Sequence, residues 1–243
     1  IMFSATMPGD ILSLAHSILR NPVEVKLAVS KPAENIRQSA YVCYEPQKLL
    51  IVKHLFEQEA PHRVIIFTDS KKKTKELALS IIRAGYNARA MHSDLSQAER
   101  DEVMFSFRSG KTDILVATDI VARGIDIDDI ALVINFDVPR DEEDYVHRIG
   151  RTARAGRGGR AVTFVAEKDM HYFRQIERFL GKEIPKEAVP EELGETPTYK
   201  SEVAGGKRHH AKGKHAEKGK GGDKSKKRRY YHNNKKQKKE GNK

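Results

Sequence analysis

Three arginines at a spacing of three, Arg148, Arg151 and Arg154, lie in the run Tyr145-Val146-His147-Arg148-Ile149-Gly150-Arg151-Thr152-Ala153-Arg154-Ala155-Gly156. Arginine keeps its charge at any working pH and presents a planar fork that matches phosphate oxygens. The run holds no lysine, and small residues (Gly150, Thr152, Ala153) flank the arginines, so something large and anionic can come close. The alternative is a solvated basic face, which would scatter lysines around a helix. The residue types favour phosphate-directed chemistry.

Positioning such residues requires elements of alternating kind. Apolar spacing predicts helices over 11–19, 47–59, 72–83, 96–108, 141–149 and 168–180. It predicts strands over 23–27, 37–44, 63–69, 88–92, 114–117, 131–135 and 161–165. Ser96-Gln97-Ala98-Glu99 reads as a capping box, and Gly85 and Gly110 stand where helices close. The strand over 63–69 is apolar almost throughout, the pattern of a parallel sheet buried on both faces. Repeated βαβ units imply an α/β fold, a mostly parallel sheet flanked by helices, with ligands at the carboxyl ends of the strands.

Four strand ends carry chemistry. One bears Thr68-Asp69-Ser70-Lys71. The next bears Ser93-Asp94, followed by Gln97 and Arg100. A third bears Thr118-Asp119 and then Arg123-Gly124-Ile125-Asp126. The last bears Asp137-Val138-Pro139 and leads into the arginine run. Hydroxyls, amide-rich turns and arginines are the groups that hold a nucleotide or a sugar–phosphate chain. Two decoys fail. Gly110-Lys111-Thr112 lacks the glycine a P-loop needs five places earlier, where Phe105 stands. Asp141-Glu142-Glu143-Asp144 opens a helix, where acids complement the dipole, so no metal site is expected.

The 243 residues carry a net charge of +11, unevenly spread. From Lys200 to Lys243 there are 17 Lys and Arg against 4 Asp and Glu, leaving 28 against 30 before it. The basic segment lacks apolar periodicity and is expected to be disordered from Glu191. Its Lys226-Lys227-Arg228-Arg229-Tyr230-Tyr231-His232 pairs charge with stackable rings, a combination suited to single-stranded RNA. The lone Cys43 forms no internal disulfide and points to a reducing, cytoplasmic setting. No apolar run reaches the roughly 18 residues of a membrane span. The opening segment, with Asp10 and no basic region, does not read as a signal peptide, and its start as a strand fragment suggests further chain upstream.

These motifs, in this order, resemble the carboxy-terminal part of DEAD-box ATP-dependent RNA helicases, from Ser4 through about Lys182. Ser4-Ala5-Thr6 is similar to the family's linker motif, 67–71 to its fourth motif, Gln97 with Arg100 to its Gln-x-x-Arg element, 117–126 to its fifth and 147–154 to its sixth. The basic tail is similar to a bacterial RhlE-like subgroup. Two positions depart from the family pattern: Ser70 where Thr is usual, and Ser93 where Gly is usual. The resemblance implies a RecA-like helicase C-terminal domain over 31–185, preceded by the end of a first RecA-like domain over 1–30 and followed by a Lys-rich tail over 186–243. It implies that the P-loop, adenine-reading segment and acidic box lie upstream of Ser4, so that ATP and Mg2+ are held mainly by that other half and the isolated fragment is inactive. Arg151 and Arg154 would reach the γ-phosphate, with Arg154 the arginine finger, and Gly124 and Asp126 would meet the ribose. Ser70, Arg100, Thr118 and Arg123 would contact the RNA backbone. Ser4, Ala5, Thr6, His147 and Arg148 would couple the two halves.

Three classes of function remain distinct: half of an RNA helicase, an RNA-binding module without hydrolysis, and a docking protein for ribosomal or other RNP complexes, monomeric in each case. A pure binder has no use for Arg154 beside a ribose-directed Asp126.

Overall fold

Val64-Ile65-Ile66-Phe67-Thr68 is buried at every position, and its alternate residues feed two separate cores. A strand apolar on both faces requires cover on both, and the chain supplies it. The computed structural model describes residues 9–20, 23, 35–119, 130–153 and 158–201. The strands are β1 (Ile36–Val42), β2 (Val64–Thr68), β3 (Ala88–Met91), β4 (Ile114–Thr118), β5 (Leu132–Asn135), β6 (Gly159–Val165) and β7 (Lys186–Glu187). The helices are α1 (Gly9–Ile18), α2 (Lys48–Gln58), α3 (Lys71–Arg83), α4 (Gln97–Arg108), α5 (Glu142–Ile149) and α6 (Met170–Leu180). All strand pairs are parallel, in the order β3-β4-β2-β5-β6-β1-β7.

Ile65, Phe67, Leu115, Ala117 and Val133 face the core shared by α4, α5 and α6, through Val103, Phe107, Tyr145, Ile149, Phe173 and Ile176. Val64, Ile66, Ile114, Val116 and Ile134 face the other, shared by α2 and α3 through Ile51, Leu55, Phe56, Leu77 and Ile81. The period of two along each strand thus becomes two layers of helix. Helix ends follow their local signals. Ser96 Oγ accepts the Glu99 N–H while Glu99 returns to the Ser96 N–H at 2.7 Å. Gly85 (φ 91°) and Gly110 (φ 74°) close α3 and α4 in the left-handed region open to glycine. Asp141 caps α5 through the Glu143 N–H at 2.8 Å, the structural role its acidic run implied.

The expected end of the domain at residue 185 is corrected. Lys186–Glu187 adds a seventh strand beside Ala40 and Tyr41, and the chain continues as part of the fold to residue 201. What holds it is a set of single anchors with no apolar period, which is why periodicity missed it. The fully buried Glu177 accepts the Ile184 N–H at 2.8 Å, the Tyr199 hydroxyl at 2.6 Å and the Lys186 ammonium. The Gln47 amide donates to the Leu193 and Glu195 carbonyls at 2.7 and 3.0 Å, and the Tyr199 ring meets Phe173 edge-on. Of the strand expected over 23–27 only Val23 is described, and the linker motif Ser4-Ala5-Thr6 and the basic segment from 202 lie outside the described residues.

Candidate functional site

The order β3-β4-β2 sets three expected RNA-contacting residues side by side along one edge of the sheet. Ser70 follows β2 and caps α3, its exposed hydroxyl accepting the Lys73 N–H at 3.4 Å. The neighbouring Thr68 hydroxyl turns inward to Thr74 Oγ1 at 2.7 Å, so Ser70 is the hydroxyl offered to solvent. Thr118 ends β4 and pairs with Thr68 across the ladder. Arg100, on the second turn of α4, reaches back with Nη2 to the Ser93 carbonyl at 3.2 Å. The turn after β3 is therefore tied to the Gln97–Arg100 element through its main chain, an interaction open to Ser93 as to Gly. Arg123, Gly124 and Asp126 lie outside the described residues.

On the other side of β2 the arginine run follows β5. Arg148 is 4 % exposed. Its Nε and Nη2 donate to the two Asp119 oxygens at 2.6 and 2.7 Å, and Nη1 donates to the Asp137 carbonyl at 2.7 Å and Asn135 Oδ1 at 3.4 Å. The Phe67 ring lies 5.2 Å from its guanidinium carbon. Such a bidentate, buried fork has fixed geometry. Arg148, expected to couple two halves, makes four hydrogen bonds inside this domain. It is a positioning residue for α5. His147, half-buried on the same helix, has Nδ1 4.0 Å from Asp144 Oδ1. Arg151 is half-buried one turn on, its N–H bonded to the Arg148 carbonyl at 3.1 Å. Arg154 lies outside the described residues.

The residues between Arg151 and Arg154 are tightly held. The buried Thr152 hydroxyl donates to the Ile130 carbonyl, and Ala153 sits at φ 59°, a left-handed conformation costly for any residue with a Cβ. A Cβ on Gly159 would overlap the Thr152 hydroxyl and stand 2.7 Å from the Ala153 nitrogen. The close approach of β6 to the arginine run depends on that glycine.

Sequence reasoning missed a buried ion cluster beneath this edge. Lys48, fully buried, lies 3.1 Å from Asp137 Oδ1, 3.1 Å from Glu45 Oε2 and 3.9 Å from Asp169 Oδ2. Lys73 lies 2.7 Å from Asp137 Oδ1 and 3.1 Å from Asp69 Oδ2, and the Asp69 N–H donates to Asp137 Oδ2 at 3.0 Å. Burial pushes the Asp137 carboxyl up, but the Lys48 charge and the Lys73 hydrogen bond outweigh it and hold it below its usual range. Burial likewise opposes Lys73, whose bonds to Asp137 and Asp69 keep it above its usual value. Asp169 is raised by burial. Glu45, Asp137 and Asp169 approach closely enough to hold a cation, and the Lys48 ammonium stands among them. The available signal was Lys48 itself: a lysine in the first turn of a helix opposes the dipole and needs a reason.

Asp137 joins the two sides. Its carbonyl takes Arg148 from the arginine run, and its carboxylate takes the N–H of Asp69 from the Ser70 turn. A parallel sheet covered by helices on both faces, with a clamped arginine helix after β5, is the arrangement of a RecA-like helicase domain. The helicase conserved C-terminal domain matches over residues 47–156. E. coli DEAD-box protein SrmB, in a crystal structure with regulator of ribonuclease activity A, is 35% identical with a TM-score of 0.61, over 68% of this chain and 95% of that one. S. cerevisiae Dbp5 bound to RNA and ADP BeF3 is 30% identical with a TM-score of 0.68, over 76% of this chain and 50% of that one. The ATP-dependent rRNA helicase RRP3 of Phaeosphaeria nodorum is 42% identical over 190 residues, 77% of this chain and 35% of that protein. The chain belongs to the DEAD-box proteins and carries their helicase C-terminal domain. It spans about a third of the length of that rRNA helicase.

Proposed function

We propose that the chain is the carboxy-terminal half of an ATP-dependent RNA helicase, binding the RNA backbone and supplying arginines to ATP hydrolysis for local duplex unwinding or RNP remodelling. The observation that carries this reading is the Arg148 clamp. It fixes α5, and with it the start of the arginine run, to Asp119 at the end of β4 and to the Asp137 carbonyl after β5. A helix end that only needed solubility would not be tied down by a buried arginine. In this reading Arg151 and Arg154 face the phosphates of ATP, with Mg2+ and most of the nucleotide held by the other RecA-like half. Ser70, Arg100 and Thr118, with Arg123, follow the RNA strand through its phosphates and 2′-hydroxyls, which makes binding weakly sequence-selective. Arg123, Gly124, Asp126 and Arg154 enter from the family pattern.

The test is RNA-stimulated ATPase activity of this chain mixed with a half bearing the P-loop. Activity should require both halves and RNA, and Arg154→Ala should lower it by about 10³–10⁵, the value of an arginine finger. If the mixture binds RNA normally and Arg154→Ala changes nothing, the catalytic role falls and an RNA-binding module takes its place.

A further inference from the structure

Lys71 and Lys75 are four residues apart on the first two turns of α3, where a like-charge pair destabilises a helix and the dipole disfavours cations. Both converge on one carboxylate across the sheet edge. Lys71 Nζ lies 2.8 Å from Asp94 Oδ1, and Lys75 Nζ lies 2.8 Å from Asp94 Oδ2. Their neighbours point elsewhere: Lys73 belongs to the buried cluster, and Lys72 lies 3.9 Å from Glu76. A carboxylate with one ammonium on each oxygen occupies the place that two non-bridging oxygens of a phosphodiester would take.

We propose that Lys71 and Lys75 form a phosphate subsite for the RNA strand, held shut by Asp94 until RNA displaces it. The inference rests on the RNA-binding reading above and extends it to residues outside the expected contacts. Three observations support it. The side chains of Lys71, Lys75 and Asp94 are 57, 46 and 39% exposed, so their ion pairs are screened by water and weak enough to exchange. The subsite joins the Ser70 cap and the Ser93–Arg100 tie: Lys71 follows Ser70 directly, and Asp94 follows Ser93, the residue tied to Arg100. Unspent polar atoms stand next to it: His92, 6% exposed, leaves Nδ1 without a hydrogen-bond partner, as does Nε of Arg100. The two lysines also hold the Asp94 carboxyl at about 2, so the gate stays ionised at working pH.

The test is a titration of the whole chain against a fluorescein-labelled single-stranded oligouridylate at several salt concentrations. Asp94→Asn should tighten binding about fivefold, the worth of one exposed charged contact, and steepen the log–log salt slope by about 0.7, one further phosphate neutralised. Lys71→Ala/Lys75→Ala should weaken binding, and in that background Asp94→Asn should bring no gain. That last result separates a gate from the general effect of removing an acid, which would persist without the lysines. An unchanged or weaker Asp94→Asn, or a gain that survives loss of both lysines, overturns the subsite. Arg100→Ala locates the failure: if it still weakens binding, the RNA-binding reading stands and only the subsite falls. If Arg100→Ala and Ser70→Ala also leave binding unchanged, both fall.

Discussion

Lys48→Met probes whether the buried ion cluster holds the strand ends together. Lys48 Nζ is fully buried, 3.1 Å from both Asp137 and Glu45. Removing one member of a buried ion network costs about 3–5 kcal/mol, because charge is left without compensation. The geometry places this substitution at the low end. Asp137 keeps Lys73 at 2.7 Å and the Asp69 N–H at 3.0 Å, and methionine fills most of the vacated volume. The expected loss is about 3 kcal/mol at pH 7. At roughly 2–4 °C per kcal/mol for a body of this size, the melting temperature falls by about 6–12 °C. The sign of the pH dependence follows from the shifts. The folded-state values of Asp137 and Glu45 lie below their ordinary values despite burial, chiefly through Lys48. Their stabilisation is complete above the unfolded carboxylate value near pH 4 and disappears as pH falls through the folded values. Chemical denaturation of both proteins at pH 7 and near pH 3 should therefore show a wide gap that closes on acidification. A difference within about 0.5 kcal/mol at pH 7, or a gap that does not change with pH, refutes the reasoning.

Two further outcomes follow from the arginine run. Arg148→Lys keeps the charge but loses the fork on Asp119, and should cost about 2–3 kcal/mol in urea denaturation while lowering kcat of the reconstituted ATPase more than it raises the KM for RNA. Gly159→Ala should destabilise the domain by about 1–3 kcal/mol and depress ATPase activity with RNA affinity largely kept, because the added Cβ meets the segment between Arg151 and Arg154 and not the Ser70 edge.

Local signals made most of the framework legible. The capping box at Ser96, the glycines at 85 and 110 and the doubly apolar β2 each act over a few residues, and each appears where its chemistry requires. The seventh strand and the segment to residue 201 were not legible, because Glu177 and Gln47 hold them through bonds spanning up to 148 residues. The arginine run shows the same divide. Its residue types point to phosphate chemistry as a class, yet Arg148 and Arg151, alike in sequence, differ in space, one buried and the other half-buried. Arg148 is spent on Asp119, a partner 29 residues away that no periodicity links to it.

The strand order gives that inequality a purpose. β2 lies between β4 and β5, so the ends of β3, β4 and β2, where the proposed RNA contacts lie, form one continuous row and the arginine run follows beyond it. Groups on the two sides need not touch in order to respond to each other, because both terminate on Asp137. Moving α5 pulls on the Asp137 carbonyl through Arg148; moving the Ser70 turn pulls on its carboxylate through the Asp69 N–H. Lys48 and Lys73 hold that carboxylate in place, 3.1 and 2.7 Å away, within a cluster that water does not screen at Lys48. A loosely held Asp137 would let each side shift alone. Anchored by two lysines, it ties the row and the arginine helix to one fixed point, as the proposed linking of a bound strand to a bound phosphate requires.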